Sequence, residues 1–395
     1  MEIVGIVAEF DPFHRGHAWL LRQVREAFPG CTVAVAMSGS FTQRGSAAAL
    51  AKQDRAELAL TGGADLVLLL PVTFACASAE RFARGGVALL RRVGITVLAF
   101  GSECGDLPRL QRAADALETE DYRQKLKAEL AEGVSFAAAR ERAVAQLIGD
   151  GAEVLRQPND LLAVEYLRAL RGTGIRPFPV RRQGAAHGSD ALDGAVASAS
   201  ALRGLLYQGR FREAAEKMPA EAGELLLSFA QAGRLPADQR RCDRTILAAL
   251  RQATPEDFAR LPDVSEGLEH RLYRAAQEAA SPEDFCARAK TKRYAYARLR
   301  RILLCCWLGV TREDCPDEPP FLQVLAMDEQ GQTLLRPLRG RDGPPLIVRP
   351  AAGKKLTGPA GEQFRLESRA DDLWGLCLPE PLRGGWSYLE GMRRR

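Results

Sequence analysis

Four short and almost wholly apolar segments recur in the first hundred residues, and they constrain the fold more than any other feature. They are residues 2–9, 32–37, 65–70 and 96–100. Strands that are apolar on both sides belong to a sheet covered on both faces. Three intervening segments repeat apolar residues at every third or fourth position, as helices do: 17–28, 52–60 and 79–93. This alternation predicts an α/β fold with a Rossmann-like, doubly wound parallel sheet.

The rest of the chain changes character twice. Residues 107–170 have mainly helical patterns, and residues 178–181 form a possible last strand. Helical patterns then continue to about residue 308, and short alternating runs with turn signals follow at residues 321–327, 346–348 and 373–376. Because 395 residues exceed the usual size of one core, we expect three domains. They are an α/β domain (1–206), a helical domain (207–308) and a small β-containing C-terminal module (309–395).

Composition limits the class of protein. The first residues lack a basic segment and a cleavage site, and no apolar run reaches the roughly 18 residues of a spanning helix. We therefore expect a soluble, cytoplasmic protein without membrane association. The nine cysteines are odd in number and form no C-x-x-C pair, which favours reduced thiols buried as small apolar side chains.

The most informative segment follows the first predicted strand, where E-F-D-P-F-H-R-G-H occupies residues 9–17 and leads into a helix. In an open α/β sheet, ligands bind beyond the carboxyl ends of the strands, and a helix N-terminus there attracts phosphate. His14 and His17 are three residues apart and share a helix face. Gly16 allows close approach of a nucleotide, Pro12 fixes the turn, and Asp11 could cap the helix or orient a histidine. The segment predicts an ATP site in which the two histidines are catalytic.

A pair of histidines suits the transfer of a nucleotidyl group from ATP. When an oxygen nucleophile attacks the α-phosphorus of ATP, negative charge grows on the phosphate oxygens, and preorganised donors stabilise it. The alternatives are two surface histidines without a role, or a metal-binding pair. No metal site is predicted, because no Cys, Asp or Glu at ligand spacing completes one. The chain has only four histidines, so two of them in one four-residue window favour the catalytic interpretation.

Three further places could contact the nucleotide. Ser198 and Ser200 open a helix that soon carries Arg203, an arrangement that could hold phosphates or could simply be a serine cap. Gly101 closes the fourth strand and could lie against a base or ribose, or form an ordinary turn. Asn159 precedes a predicted helix and could cap it or contact the nucleotide.

A basic segment at residues 288–301 contains seven cations and two tyrosines but no acid. We predict a helix there that neutralises phosphates of a folded RNA while its aromatic rings stack on bases. The alternative is a solvated helix face paired with acids elsewhere in the chain. The candidate RNA-binding residues are Lys290, Lys292, Arg293, Arg298, Arg300 and Arg301.

These motifs together resemble the tRNA(Met) cytidine acetate ligase family, within the H-x-G-H nucleotidylyltransferase superfamily. The resemblance rests on residues 5–17, 37–45 and 63–67 with Pro71, and it extends through residues 100–103, 197–203, 265–269 and 291–294. The M-S-G-x-F-x-Q-R-G segment at residues 37–45, which here reads M-S-G-S-F-T-Q-R-G, and T-K-R-Y at residues 291–294 are more specific than H-x-G-H alone.

The resemblance implies the reaction. Acetate and ATP would give acetyl-adenylate and pyrophosphate, and the acetyl group would pass to the exocyclic amine of the wobble cytidine of elongator tRNA(Met), giving N4-acetylcytidine. The implied cofactor is ATP with Mg²⁺, the partners are acetate and this tRNA, and no protein partner is predicted. The implied ATP contacts are Val7, Ala8, Glu9, Phe10, Asp11, Pro12, Phe13, His14, Arg15, Gly16, His17, Ala18, Trp19, Leu20, Gly101, Asn159 and either Arg181 or, as our alignment prefers, Arg182.

The chain also departs from the family pattern. The family usually has a glutamate before the proline of the third strand and Glu-Pro after Q-R-G, whereas Leu70 and Ser46-Ala47 stand there. These changes could alter the acyl or base preference, and we assign no role to His187. Two other functions stay open: an H-x-G-H transferase for a phosphorylated metabolite, and a non-catalytic RNA-binding protein with a relic nucleotide site.

Overall fold

One twisted sheet organises the protein in the computed structural model, which describes residues 2–182, 197–265, 267–338 and 343–395. Its strands within these ranges are β1 (Ile3–Ala8), β2 (Thr32–Ser38), β3 (Leu66–Leu70), β4 (Val97–Ser102), β5 (Arg176–Arg181), β6 (Leu322–Met327), β7 (Leu346–Ile347) and β8 (Arg393–Arg394). Their order is β5-β4-β1-β2-β3-β6-β7, with β8 also paired to β6. Strands β1 to β5 are mutually parallel, which confirms the predicted doubly wound α/β fold.

Helices connect the strands and form most of the other regular structure of the described chain. They are α1 (Arg15–Ala27), α2 (Lys52–Thr61), α3 (Val72–Ala75), α4 (Ala79–Arg92), α5 (Leu107–Ala116), α6 (Glu120–Ala131), α7 (Phe136–Ile148), α8 (Pro158–Ala169), α9 (Ala199–Tyr207), α10 (Phe211–Glu216), α11 (Ala220–Gln231), α12 (Asp243–Gln252), α13 (Pro255–Arg260), α14 (Leu268–Glu278), α15 (Pro282–Ala289), α16 (Tyr296–Leu308), α17 (Glu329–Leu335) and α18 (Gly358–Gly375). Short 3₁₀ helices occupy Gly149–Arg156, Gln239–Cys242, Arg336–Leu338, Pro350–Lys355 and Trp386–Tyr388. None of these helices is both long and apolar enough to cross a bilayer.

Both faces of the sheet are covered, which explains its apolar strands. Along β2, Val33 and Val35 pack into one core cluster, while Ala34 and Ala36 between them pack into another on the opposite face. Successive residues of a strand point to opposite faces. The first cluster includes residues of α1, α2 and α9, and the second includes residues of α4, α5 and α8.

A third core lies in the helical region. It joins residues of α12, α14, α16 and α18, and it includes Phe41 and Ala47 from the loop that follows β2. The helical region is therefore packed against a loop at the carboxyl end of the sheet, where ligands bind in folds of this kind.

The C-terminal segment differs from the pattern-based expectation. Strand β6 pairs antiparallel with β3, so it extends the central sheet. The interpretation of residues 373–376 as an alternating, strand-like run was wrong, because Leu373 and Trp374 lie in α18 and Trp374 is fully buried. Short apolar runs do not distinguish a strand from a buried helix. The division into domains at residues 206 and 308 stays a prediction.

Candidate active site

The turn between β1 and α1 places both predicted catalytic histidines at the start of a helix. His14 is the N-cap residue of α1, and its Nδ1 accepts a hydrogen bond from the Gly16 backbone N–H at 3.0 Å. In return, His17 Nδ1 accepts from the His14 backbone N–H at 3.2 Å. The two imidazoles thus form a reciprocal capping box. Asp11 does not cap the helix, because His14 occupies that position.

These hydrogen bonds fix the tautomer of each ring. A neutral imidazole whose Nδ1 accepts a hydrogen bond carries its proton on Nε2. Burial, reinforced by the charges of Arg182 and Arg203, lowers the pKa of His14 to about 3. Burial and the neighbouring His14 and Arg182 lower the pKa of His17 well below its usual value. At neutral pH the site therefore presents two stacked, uncharged rings, with centroids 3.7 Å apart, as Nε2–H donors.

Two buried phenylalanines hold His17 in place. The ring centroids of Phe10 and His17 lie 4.8 Å apart, and those of Phe10 and Phe13 lie 5.2 Å apart. Both phenylalanine side chains are buried, so any contact from them to a nucleotide would come through the backbone. Phe10 has a φ of 47°, a conformation that residues other than glycine rarely adopt and that is often found at functional sites.

The second serine and arginine motif also reaches this turn. Arg203 Nη1 donates to the backbone oxygen of Asp11 at 2.6 Å, and its Nη2 donates to Ser200 Oγ at 3.3 Å. Asp11 Oδ1 accepts from the Ala49 backbone N–H at 2.8 Å. Ser198 caps α9, which confirms the capping interpretation without excluding phosphate binding at the same helix end. Arg203 thus lies beside the histidine pair.

Three other predicted nucleotide contacts come together at the ends of β4 and β5. Arg182 Nη1 donates to Asn159 Oδ1 at 3.4 Å, and Asn159 Nδ2 donates to Glu103 Oε1 at 2.6 Å. A Cβ added to Gly101 would lie 3.5 Å from Arg182 Cγ. Asn159 does not cap α8, because the cap residue is Gln157. Glu103, which the sequence analysis did not single out, orients Asn159.

The two neighbouring arginines have different surroundings. Arg181 packs its Cβ against Gly105, whereas Arg182 contacts Asn159 and acts electrostatically on both histidines. Both arginines border a hollow of about 410 Å³ that Trp19 of α1 and other residues of β5 also line, so the hollow does not distinguish them. The contact with Asn159 and the effect on both histidines favour Arg182 over Arg181 as a site residue.

The remaining residues of the predicted ATP segment have mainly structural contacts. Arg15 donates to the backbone oxygens of Glu216 and Met218, which ties α1 to the helical region. Val7 packs against Gly86 of α4. Ala8, Ala18 and Leu20 pack on the core.

Arg55 is a buried residue of the site that the sequence analysis missed. Its guanidinium donates to the backbone oxygens of Glu9, Ser38, Gly39 and Leu50. It thereby joins the carboxyl ends of β1 and β2 to the loop before α2. A buried arginine held in this way has no sequence signature, because backbone oxygens are its main partners and every residue supplies one.

No protein-only metal site occurs in the described ranges, where no three His, Cys, Asp or Glu side chains are placed to hold a metal ion. The charges that act on His14 are those of Arg182 and Arg203. A Mg²⁺ at this site would have to be held by phosphate oxygens of ATP and by water, as Mg²⁺ often is.

The basic segment is not the continuous helix that we predicted. Helix α15 ends at Ala289 and α16 begins at Tyr296. The connecting residues turn Tyr294 into the helical core, where only 9% of it is exposed, and this burial interrupts the helix.

The six candidate cations fall into two groups. Arg301 is buried and ion-paired with Asp263 at 2.9 Å. Arg298 Nε donates to the Asp263 backbone oxygen at 2.8 Å, and its guanidinium lies over the Tyr294 ring. These two arginines therefore stabilise the helical region instead of presenting free charge. The exposed cations are Lys290, Lys292, Arg293 and Arg300.

Comparison with known proteins agrees with this arrangement. The sequence matches the model of a family described as HIGH Nucleotidyl Transferase over residues 1–384. A tRNA(Met) cytidine acetate ligase of Acetivibrio thermocellus is 33% identical over 399 residues, covering 96% of each chain. One of Syntrophotalea carbinolica is 38% identical over 412 residues, covering 98% of this chain and 96% of that protein. This chain belongs to the tRNA(Met) cytidine acetate ligase family.

Solved structures of a protein named TmcAL from Thermotoga maritima have the same fold. Its apo crystal structure matches with a TM-score of 0.92 at 30% identity and covers 100% of this chain and 99% of that one. Its structure bound with alpha-thio ATP matches with a TM-score of 0.89 at 30% identity, covering both chains fully. The resemblance drawn from the motifs is thus confirmed.

The departures from the ligase family pattern lie in well-packed places. Leu70 is buried in a cluster with Phe74 and Phe82. Ala47 is buried, and Ser46 Oγ lies 2.8 Å from Thr42 Oγ1. Leu70 and Ala47 therefore have side chains closed off from solvent. His187, to which we assigned no role, lies outside the described residues.

Proposed function

We propose that this protein activates acetate with ATP and transfers the acetyl group to the N4 amine of the wobble cytidine of elongator tRNA(Met). Its named relatives are tRNA(Met) cytidine acetate ligases. The observation that carries the proposal is the capped histidine pair, which presents two Nε2–H donors beside Arg182 and Arg203 at the carboxyl edge of the sheet.

In the first half-reaction, an acetate oxygen attacks the α-phosphorus of ATP and pyrophosphate leaves. His14 and His17 donate hydrogen bonds to phosphate oxygens as charge develops on them, and their depressed pKa values keep them from exchanging protons with the nucleotide. Arg182 and Arg203 supply the positive charge. Mg²⁺ bound to the triphosphate would neutralise part of the pyrophosphate charge.

In the second half-reaction, the cytidine amine attacks the acetyl carbon and AMP leaves. Acyl-adenylates hydrolyse readily, so the site has to exclude water until the tRNA arrives. We call the carboxyl edge of the sheet around the histidine pair the cleft. The loop after β2 lies at this edge, and the helical region is packed against that loop. A tRNA bound to the helical region would therefore cover the cleft.

One of the exposed cations of the basic segment, Arg300, lies beside the loop after β2. Gly45 closes the M-S-G-S-F-T-Q-R-G segment with a φ of 78°, and a Cβ added there would lie 2.7 Å from the Arg300 backbone carbon. Arg300 is exposed, and so are Lys290, Lys292 and Arg293 in the segment before α16. We propose that these four cations bind phosphates of the tRNA and direct it to the cleft.

Neutralising Lys290, Lys292, Arg293 and Arg300 together, each by glutamine, is expected to weaken tRNA binding and flatten its salt dependence. The slope of log K against log salt should fall by about 0.7 to 0.9 for each phosphate that the protein no longer neutralises. Filter binding at several salt concentrations measures both quantities. The matched control removes the same number of exposed charges on α6, α7 and the turn after α8: Arg123, Lys127, Arg142 and Arg171. Equal slopes for the two variants would show that the basic segment is only a solvated surface.

Replacing Arg182 by glutamine is expected to raise the KM for ATP by about 10- to 100-fold, because the substitution removes a charged hydrogen-bond donor to phosphate. Arg181→Gln is the matched control, since it removes the same charge from the adjacent residue, which packs on Gly105. Steady-state kinetics of acetate-dependent ATP–pyrophosphate exchange measure the effect. A larger effect at Arg181 would reverse the assignment.

The direct test incubates the protein with ATP, labelled acetate and total bacterial tRNA, followed by nucleoside analysis. Labelled N4-acetylcytidine is the expected product. ATP–pyrophosphate exchange that depends on a phosphorylated metabolite instead of acetate would support the transferase alternative. Retention of tRNA without turnover would support a non-catalytic RNA-binding protein. The cytoplasmic location stays a prediction.

A further inference from the structure

Glu9 belongs to the segment of implied ATP contacts, but its carboxylate lies on the β2 side of β1, away from the predicted contacts at the ends of β4 and β5. It follows β1 directly, and its Oε1 accepts a hydrogen bond from the Gln43 backbone N–H at 2.6 Å. Gln43 belongs to the loop after β2, whereas Gly101 and Arg182 lie at the ends of β4 and β5. Because β1 lies between β4 and β2 in the sheet, Glu9 reaches away from the nucleotide side. The residue keeps part of its surface accessible.

The surroundings of Glu9 suit a group that takes up a proton. Burial raises the pKa of its carboxyl group, the Gln43 hydrogen bond lowers it, and Asp11 raises it further. The opposing charges are Arg55 and Arg203, which lower the pKa, but the net direction is upward. The charge of Glu9 also affects the pKa values of three other groups: Arg44, Cys76 and the buried Tyr166 hydroxyl. A carboxylate in such surroundings binds a proton more strongly than one in water.

Other polar groups of the cleft are unsuited to this task. The Nδ1 atoms of His14 and His17 already accept backbone hydrogen bonds, and their Nε2 atoms carry the protons. Asp11 is buried, and its Oδ1 accepts from the Ala49 backbone. Among these described groups, Glu9 is a partly exposed residue with a raised carboxyl pKa.

We propose that Glu9 is the general base of the acyl-transfer step, an inference that rests on the proposed function. The N4 nitrogen of the cytidine forms a bond to the acetyl carbonyl carbon, and one N4 proton passes to a carboxylate oxygen of Glu9. The bond from that carbon to the adenylate oxygen breaks, and AMP leaves with the electron pair. An exocyclic amine of cytosine is a weak nucleophile, because its lone pair is delocalised into the ring, so removal of its proton is needed.

The location of Glu9 agrees with the route proposed for the tRNA. Gln43, which holds the carboxylate, stands two residues before Gly45, where the Arg300 backbone packs. Arg44 lies between them, and the charges of both Glu9 and Arg300 affect its pKa. A cytidine that enters along the exposed cations therefore reaches Glu9 from the side of the loop after β2.

The test uses Glu9→Gln in the full chain, because the glutamine amide oxygen can still accept the Gln43 hydrogen bond but cannot take up a proton. Synthetic acetyl-AMP and tRNA are mixed with the enzyme under single-turnover conditions from pH 6 to pH 9. The transfer rate is expected to fall by about 100-fold or more, a usual contribution of general base catalysis. In the wild-type enzyme the rate should rise with pH as Glu9 loses its proton, and the variant should lose this rise. Glu9→Asp, which keeps a carboxylate, should recover part of the rate.

Acetate-dependent ATP–pyrophosphate exchange supplies the comparison. The loss of exchange should be at least ten times smaller than the loss of transfer. If transfer falls about 100-fold, exchange should fall by less than about 10-fold. Equal losses in the two half-reactions, or a variant that keeps both the transfer rate and its pH dependence, would overturn the role of Glu9. A wild-type enzyme without any acetate-dependent exchange would instead overturn the proposed function, and this role with it. If Glu9→Gln unfolds at the same temperature as the wild-type enzyme, its lower transfer rate comes from loss of the proton acceptor and not from loss of the fold.

Discussion

Replacing His17 by asparagine is expected to lower the rate of acetate-dependent ATP–pyrophosphate exchange by a factor of about 10² to 10³, the usual effect of removing one preorganised donor to a developing oxyanion. Asparagine is chosen because its side-chain oxygen can still accept the His14 backbone N–H. In α13 of the same chain, Asp257 at the equivalent position accepts from the backbone of Thr254 in this way. The variant therefore keeps the helix cap and loses only the Nε2–H donor.

Two controls make the result specific. His14→Asn keeps a good N-cap residue and should lower exchange by a similar factor, because it removes the other Nε2–H. Thermal unfolding should change little in either variant, since the caps are retained. Unchanged exchange in both variants would remove the histidine pair from the mechanism, and a large loss of stability with proportional loss of activity would show that the pair only caps the helix.

The sequence predicted the position of this pair better than its local structure. A spacing of three residues at a strand-to-helix junction places both rings on one helix face, and the structure has them stacked. The capping role was not predicted, because serine, threonine, aspartate and asparagine are the usual N-cap residues and histidine is not among them. Similarly, the sequence predicts Gly101, Asn159 and Arg182 as separate contacts, and only the fold shows that Arg182 contacts Asn159.

The predicted parallel strands could be identified because a strand buried on both faces has a recognisable local composition. The pairing of β6 with β3 could not be predicted, since it joins segments more than 250 residues apart and antiparallel pairing leaves no mark in either sequence. The basic segment shows that a charge pattern alone does not predict where a helix is interrupted. Its charges predicted one continuous helix that binds RNA, but burial of Tyr294 interrupts the helix and Asp263 pairs with Arg301.

Replacing Lys52 by methionine is expected to lower the free energy of unfolding by about 3 to 5 kcal/mol, because it leaves two buried carboxylates without their cation. Lys52 Nζ lies 3.1 Å from Glu367 Oε1 and 2.7 Å from Asp371 Oδ2, and all three side chains are almost completely buried. The carboxylates belong to α18, whereas Lys52 begins α2. This network therefore attaches the C-terminal helix to the sheet domain.

The same network positions the loop after β2. Ser40 Oγ donates to Asp371 Oδ1 at 2.6 Å, and a Cβ added to Gly39 would lie 2.5 Å from Glu367 Oε1. The Lys52→Met variant should therefore also displace this loop, which holds Glu9 through Gln43. We expect acetyl transfer to fall more than the loss of folded protein explains.

Urea unfolding of three variants tests this account. Lys127→Met, at an exposed lysine of α6, is the matched control and should change the stability by less than about 0.5 kcal/mol. The triple variant Lys52→Met, Glu367→Gln and Asp371→Asn removes all the buried charges but keeps oxygen acceptors for the Val72 backbone N–H and for Ser40. It should recover much of the stability lost in the single variant, because replacing a whole buried ionic network costs far less than removing one partner. If Lys52→Met alone unfolds at the wild-type urea concentration, the buried network does not join α18 to the sheet, and the C-terminal segment is held by β6 and apolar packing alone.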